Sequence, residues 1–376
     1  MRQTLPLGGM AGVPVRAHWS ALGIAVLIVV LLGTTVLPQA VPGYSQTQYW
    51  LVAAITGMLF MASLLTHEAA HALIARRRGL RVGSITLWVL GGYTEMEDEA
   101  KSPRVELATA AAGPLASLGI AAVTLLAYVL LPRPALAASA AGWLFAMNLM
   151  LGLFNLLPGA PLDGGRVLHA LLWWRFGDAG RADRAAARAG QTLGTTLISI
   201  GLVGTFLWNW LSGLWLAFLG WYIAMSARQE LTVKIARAGL RGLRVAEVMT
   251  PVPDLAPAWM NVEQLVEGVV LHSRQTVFPV VTLTGAAVGS VSLDTLAAVP
   301  PQRRGTTRVE TLTTTQRPVR TLTSDDEATL LLEQSAQGQL IAVVVDQQRL
   351  VGMVTDADLR RALGQSLLRT SVDVAN

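Results

Sequence analysis

LVAAITGMLFMASLLTHEAAHALIA, residues Leu51–Ala75, is an apolar run long enough to cross a bilayer, and it carries two histidines and a glutamate towards its end. A membrane helix needs about 20 predominantly apolar residues, so this stretch reads as a spanning helix with ionisable groups inside it. Such groups are expensive in a membrane and usually carry function. His67 and His71 are four residues apart. At 3.6 residues per turn they lie one above the other on one helical face. Two imidazoles stacked in this way can reach a single zinc ion. Glu68 stands beside the pair without pointing along it, where it can take a proton from an attacking water and return it to a leaving amine. The competing reading is a set of polar residues snorkelling at a helix end.

Outward from this run, the chain stays apolar from residue 17 to about 225 and then changes character. Overall, 52% of residues are apolar and 14% charged, with a mean hydropathy of +0.48. Soluble domains average about a quarter charged. Six stretches read as spans: 17–37, 50–75, 105–131, 136–157, 189–209 and 212–228. The first is too long for a signal-peptide core and lacks a small-residue cleavage site, so it reads as a retained helix. The absence of cysteine excludes disulfides, thiolate nucleophiles and Cys-ligated zinc, which leaves His, Asp and Glu as metal ligands. The net charge of +5 comes from arginines flanking the apolar runs, a pattern that fits an anionic membrane face and not nucleic acid.

Loop charge sets the orientation. Arg2 and Arg16 precede the first span; Arg76, Arg77, Arg78, Arg81, Lys101 and Arg104 lie between the second and third. Arg166, Arg175, Arg181, Arg184 and Arg188 follow the fourth, and Arg228, Lys234 and Arg237 follow the sixth. Arg133 is the only basic residue in the opposite loops. Both termini are therefore expected in the cytoplasm, with the protein in the cell membrane. His67 and His71 come out near the cytoplasmic end of the second span, and Asp163, just past the fourth, comes out at the same depth. A catalytic zinc takes three protein ligands and keeps one position open, so Asp163 is the expected third ligand. Between the second and third spans, Ile85, Leu87 and Val89 alternate with Thr86 and Trp88 before Gly91-Gly92. Arg81–Glu97 is then either a hairpin or a plain amphipathic loop.

His-Glu-x-x-His on a membrane helix, followed about 90 residues later by Asn155-x-x-Pro158-x-x-x-Leu162-Asp163-Gly164, resembles the site-2 proteases, a family of intramembrane zinc metalloproteases. The resemblance covers about residues 1–230 and extends to Val15–Ser20 and Gly113-Pro114. It implies that His67, His71 and Asp163 ligate zinc and that Glu68 is the catalytic base. It also implies that Asn155 and Pro161 shape the site and engage substrate, and that the Gly91-Gly92 segment adds a strand to it. Substrates would be membrane-spanning or membrane-associated proteins, such as anti-sigma factors or precursors of transcription factors. A transmembrane helix hides its peptide groups, so it must unwind before hydrolysis, and pairing with a strand edge satisfies the groups that unwinding exposes. His18 and His169 read as structural or interfacial residues, and Asn148 as a hydrogen-bonding residue between helices. A competing class is a transporter with a midplane ionisable cluster, which predicts charges at helix centres and broken helices in repeated halves. Here the cluster lies at the cytoplasmic end.

Beyond residue 240 the sequence repeats. Phe278-Pro279-Val280-Val281 followed by Gly289-Ser290-Val291-Ser292 recurs as Ile341-Ala342-Val343-Val344-Val345 followed by Gly352-Met353-Val354-Thr355. Helical patterns, Val262–Ser273 and Asp325–Gln337, precede the two copies, which together read as one pseudo-symmetric domain. The segment resembles a tandem pair of cystathionine-β-synthase (CBS) domains. That resemblance implies an adenine-nucleotide site on Thr355 and Asp358, where Thr meets phosphate and Asp the ribose; Ser292 and Thr295 stand at the matching positions of the first copy. The alternative is a regulatory or dimerising module without ligand.

The expected architecture is thus a polytopic α-helical membrane protein of six spans with a small β-hairpin or sheet, joined to a soluble α/β tandem CBS domain. The expected boundaries are 1–230 for the membrane domain, 231–243 for a linker, 244–367 for the CBS pair (halves 244–300 and 308–367) and 368–376 for a tail. The expected activity is that of a zinc metalloendopeptidase acting on a transmembrane protein substrate, with one Zn2+ per chain. An adenine nucleotide and a homodimer through the CBS domains are the further expected partners.

Overall fold

The computed structural model describes residues 4–10, 12–88, 91–96, 98–208, 211–313, 320–334, 340–346 and 349–373. The chain divides into two compact units, residues 1–231 and 232–376.

The first unit opens with strands β1 (Thr4–Met10) and β2 (Val13–His18), paired antiparallel. Helices α1 (Trp19–Ala40) and α2 (Gln46–Arg77) follow, and they carry the chain back to β3 (Val82–Trp88), which pairs parallel to β2. Strand β4 (Gly91–Met96) returns antiparallel to β3, with Thr86 opposite Tyr93. The segment left open between hairpin and loop is therefore a hairpin, within a sheet ordered β1-β2-β3-β4 that leaves β4 at an edge. The Val89 position of its pattern, and Glu97, lie outside the described residues. The remaining helices are α3 (Pro103–Leu130), α4 (Leu136–Asn155), α5 (Asp163–Phe176), α6 (Ala179–Trp208) and α7 (Ser212–Leu240).

Local chemistry accounts for the helix limits. Ser45 and Gln48 form a reciprocal capping box at the start of α2, and Arg76 and Arg77 complement its C-terminal dipole. Ser102 caps α3 ahead of Pro103, whose missing N–H costs nothing in the first turn. Helices α6 and α7 pack through glycines seven residues apart. A Cβ on Gly194 would stand 2.5 Å from the Gly220 carbonyl, and one on Gly201 would stand 2.4 Å from that of Gly213. Such small residues let membrane helices approach closely. Among the described residues, α1, α2, α3, α4 and α6 are long and apolar enough to span a membrane. The sixth expected stretch, 212–228, is the first part of α7, which continues through Arg228, Lys234 and Arg237.

The second unit holds two half-cores. Strands β6 (Ala256–Pro257), β7 (Val277–Val281) and β8 (Ala287–Ser292) form one sheet. The other is ordered β5-β11-β10-β9, from β5 (Thr250–Pro251), β9 (Arg320–Leu322), β10 (Leu340–Asp346) and β11 (Arg349–Thr355). Helix α8 (Val262–Gly268) precedes the first strand pair; α9 (Leu293–Ala297) and α10 (Asp356–Asp373) follow their respective copies.

The expected half boundaries, 244–300 and 308–367, do not follow the packing. Leu240, Val245 and Val248 are buried with the second copy's Ile341, Val344 and Val354, whereas Val309 is buried with the first copy's Phe278 and Val280. Each lead-in segment is thus exchanged. Val245 N–H donates to the Asp326 carbonyl, and Val309 N–H donates to that of Met260. The exchange lets each short apolar lead-in bury itself on the other copy, which a linear repeat pattern does not reveal. The expected linker 231–243 is mostly the end of α7, and the expected tail begins as helix, since α10 runs to Asp373. Residues 374–376, and the Gln337 end of the second helical pattern, lie outside the described residues.

Candidate metal centre

His67 and His71 are buried on one face of α2, and their Nε2 atoms stand 3.3 Å apart. Helix α3 supplies the partner for each ring. His67 Nδ1 hydrogen-bonds Ser117 Oγ at 2.9 Å, and His71 Nδ1 donates to the Thr109 carbonyl at 2.7 Å. That bond at Nδ1 orients the ring and turns His71 Nε2 toward His67 and Asp163. Gly113, between those two partners on α3, makes room: a Cβ there would fall 2.2 Å from His71 Nε2 and 2.6 Å from His67 Nε2.

Asp163, the first residue of α5, closes the group from the opposite side. Its Oδ2 lies 3.2 Å from His67 Nε2 and 3.1 Å from His71 Nε2. The two glycines after it are needed for that placement. A Cβ on Gly164 would collide with the Leu156 carbonyl group at 2.3 Å, and one on Gly165 with the Gly159 backbone at 2.8 Å. The start of α5 therefore lies directly against the chain leaving α4.

The three donor atoms form a nearly equilateral triangle with edges of 3.1–3.3 Å. Zinc bonds of about 2.0–2.1 Å at tetrahedral angles hold ligand atoms about 3.3–3.4 Å apart. The set therefore fits a tetrahedral zinc with a fourth position open. Among the described residues it is the one His/Cys/Asp/Glu group whose ligand atoms converge in this way.

Glu68 is buried next to this triangle. Thr94 on β4 donates to its Oε2 at 2.9 Å, and Gly92 lies so close that a Cβ would meet Glu68 Cγ at 2.4 Å. A cavity of about 230 Å³ opens here. Its walls include His67, Glu68, His71 and Asp163, the β4 residues Gly91 and Gly92, and Asn155 and Pro161 from the connection into α5. All eight sequence-predicted residues of the membrane site thus line one space. Asn155 Nδ2 donates to the Leu151 carbonyl. His18, as expected, is a structural residue: its Nδ1 caps α1 by accepting from Ser20 N–H. Sequence reasoning missed Thr94, Thr109 and Ser117. The available signal was on α3, where Glu106, Thr109, Gly113 and Ser117 recur at helical spacing in a mostly apolar helix.

In the second unit, the predicted pair Thr355 and Asp358 is also brought together, but in a closed arrangement. Thr355 N–H and Oγ1–H donate to Asp358 Oδ2 at 3.0 and 2.6 Å, while Thr250 Oγ1 and Arg361 Nη2 each donate to Oδ1 at 2.8 Å. Asp358 is 4% exposed. At the matching first-copy positions, Ser292 Oγ accepts from Thr295 N–H and contacts Thr295 Oγ1 at 2.9 Å.

The model of peptidase family M50 matches residues 55–141 and 135–198. The Rip3 protein of Mycobacterium tuberculosis, a zinc metalloprotease by name, is 43% identical over 96% of this chain and 93% of its own length. The zinc metalloprotease MJ0392 of Methanocaldococcus jannaschii is 25% identical over 96% of this chain and 97% of its own. Among solved structures, a site-2 protease from M. jannaschii aligns with 61% of this chain and 95% of its own at 26% identity, with a TM-score of 0.40. The CBS domain of a bacterial CNNM/CorC-family Mg2+ transporter aligns with 36% of this chain and 83% of its own at 22% identity, with a TM-score of 0.30. The chain belongs to peptidase family M50, the site-2 proteases, and is a zinc metalloprotease with several membrane helices.

Proposed function

We propose that this peptidase hydrolyses peptide bonds of membrane-spanning or membrane-associated proteins within the bilayer, with His67, His71 and Asp163 holding the zinc and Glu68 as general base. The observation that carries the reading is the triangle of three ligand-type atoms with a buried carboxylate beside it and a strand edge lining the same cavity. Zinc in that triangle would supply a Lewis acid for the scissile carbonyl oxygen and the attacking water. Thr94 holds Glu68 Oε2, so Oε1 takes the proton as the water oxygen bonds to the carbonyl carbon. Glu68 then passes that proton to the amide nitrogen as the C–N bond breaks. The edge of β4 at Gly91 and Gly92 pairs with the unwound substrate and satisfies its backbone groups, with Asn155 and Pro161 lining the same cavity.

The same reading takes α7 as a sixth span, puts both termini in the cytoplasm and assigns the protein to the cell membrane, in line with the loop charges. The repeat unit is then a CBS regulatory domain that dimerises and takes an adenine nucleotide at Thr355 and Asp358. A bound ribose would have to replace the Thr250 and Arg361 bonds to Asp358.

The test is zinc content and cleavage of a model transmembrane substrate by wild type and Glu68→Gln in proteoliposomes. The variant is expected to keep one zinc per chain and lose about 10²- to 10⁴-fold in cleavage. Undiminished cleavage, or a wild type without stoichiometric metal, would overturn the proposal. For the repeat unit, equal adenine-nucleotide binding by wild type and Asp358→Asn would refute the site.

A further inference from the structure

His169 takes no part in the chemistry above, yet it is buried at 6% exposure six residues along α5 from Asp163. Its ring is engaged at both nitrogens. Nδ1 hydrogen-bonds Glu106 Oε2 on α3 at 2.8 Å, and Nε2 pairs with Asp183 Oδ1 on α6 at 3.1 Å, with the Ala179 carbonyl 3.3 Å away. Glu106 is itself buried. Such an arrangement is costly to assemble away from water, so it calls for a return.

The return is legible on α3. Glu106, Thr109, Gly113 and Ser117 fall at positions i, i+3, i+7 and i+11, one stripe about 16 Å long at 1.5 Å per residue. Ser117 orients His67, Thr109 orients His71, and Gly113 makes room for both rings. Asp163 is the remaining member of the triangle. The stripe reaches its helix through its first position, where Glu106 grips His169.

We infer that His169 is a positioning residue for the metal centre: clamped between Glu106 and Asp183, it sets the depth and roll of α5 and so holds Asp163 Oδ2 against the two histidines. One face of α3 thereby fixes all three ligands, two directly and one through the helix that Glu106 holds at His169. Partners beyond the ligands that orient them typically account for 10- to 100-fold in metal affinity or activity. His169 supplies its share through the helix that carries the ligand.

The inference rests on reading the triangle as a metal site, and the experiment separates the two. Full-length protein in detergent is measured for zinc affinity by chelator competition, and for the visible absorption of the Co2+-substituted form, which reports ligand geometry. His169→Ala is expected to weaken zinc about tenfold or more and to alter the cobalt bands. Added imidazole, filling the vacated space, is expected to restore both. A folded His169→Ala protein with wild-type affinity and spectrum would overturn the role of His169 alone, whereas a wild type that binds no metal would overturn the site reading as well. Should His169→Ala not fold, Glu106→Gln and Asp183→Asn decide. Each is expected to weaken zinc, and wild-type affinity in both would refute the clamp.

Discussion

Asp163 and Asp358 are the same residue type in the same kind of place, the first turn of a helix that follows a strand or loop. Their surroundings make them opposites. Around Asp358 every neighbour is a donor: the Thr355 amide and hydroxyl, the Thr250 hydroxyl and the Arg361 guanidinium. The carboxylate is fully paired inside the protein. Around Asp163 the neighbours are imidazole nitrogens, and one of those rings is held at Nδ1 by the Thr109 carbonyl. Three atoms of metal-ligating type face one another here at 3.1–3.3 Å, a spacing that suits a cation between them. Neighbours that only donate close an aspartate, and imidazoles that can each turn a ring nitrogen to a shared ion open it to a metal. The helix N-terminus is common to both and decides neither.

The sharpest way to break this contrast is Gly113→Ala. Its methyl would occupy the space beside His67 Nε2 and His71 Nε2, which belong to rings held by Ser117 and Thr109. Zinc affinity is expected to fall by about a hundredfold, with cleavage lost in proportion. Chelator competition on the folded variant would check this, and retention of wild-type zinc would mean that the triangle is not the metal site. Thr94→Val comes next. It removes the donor to Glu68 Oε2 and leaves His67, His71 and Asp163 untouched. Loss of a hydrogen bond to a charged group costs about 1.5–3 kcal/mol, so kcat is expected to drop about 10- to 100-fold at unchanged zinc content and KM. A fall in zinc content instead would show that Glu68 and the ligand set are not separable.

The closed side of the contrast predicts a loss of stability. Asp358→Ala strands the Thr355 amide and the Thr250 hydroxyl in a buried setting, and it is expected to destabilise the repeat unit by about 1–3 kcal/mol. Thr295→Ala, at the matching uncharged position, removes one neutral contact and is expected to cost about 0.5–1.5 kcal/mol. Urea unfolding of the two variants measures the difference, and equal losses would mean that the charge adds nothing to the cap.

What the sequence disclosed, and what it did not, follows the same physics. The spans and the His67–His71 spacing are periodic features of single helices. Asp163 emerged from loop charge because the membrane reduces depth to one coordinate. The roles of Thr94, Thr109 and Ser117 depend on which helix or strand crosses behind α2, and no local pattern states that. The exchange of Val245 and Val309 between the half-cores was hidden for a related reason: a repeat shows that two copies exist, not which copy each lead-in buries against. His169 read as structural, and its contacts to Glu106 and Asp183 arise only once α3, α5 and α6 are packed.

The smallest expected effect concerns the base of the hairpin that carries β4. Arg81 grips Asp98 there with its backbone N–H at 3.0 Å and its guanidinium at 2.9 Å, and this pairing lowers the Asp98 pKa from 3.8 to about 2. The pair is solvent-exposed, and exposed pairs contribute little and are screened by salt. A carboxylate with a depressed folded-state pKa stabilises above its unfolded pKa and loses that contribution as the pH falls through the folded value. Wild type is therefore expected to be slightly more stable than Asp98→Asn above about pH 4, with the difference vanishing as the pH approaches 2. Other carboxylates titrate alike in both proteins, so the difference between two melting curves isolates this pair. Zinc content near neutral pH is expected to be the same in both. If Asp98→Asn instead lost zinc or cleavage as Thr94→Val loses kcat, the hairpin base would belong to the working site, and the contacts that serve Glu68 would extend outward along β4.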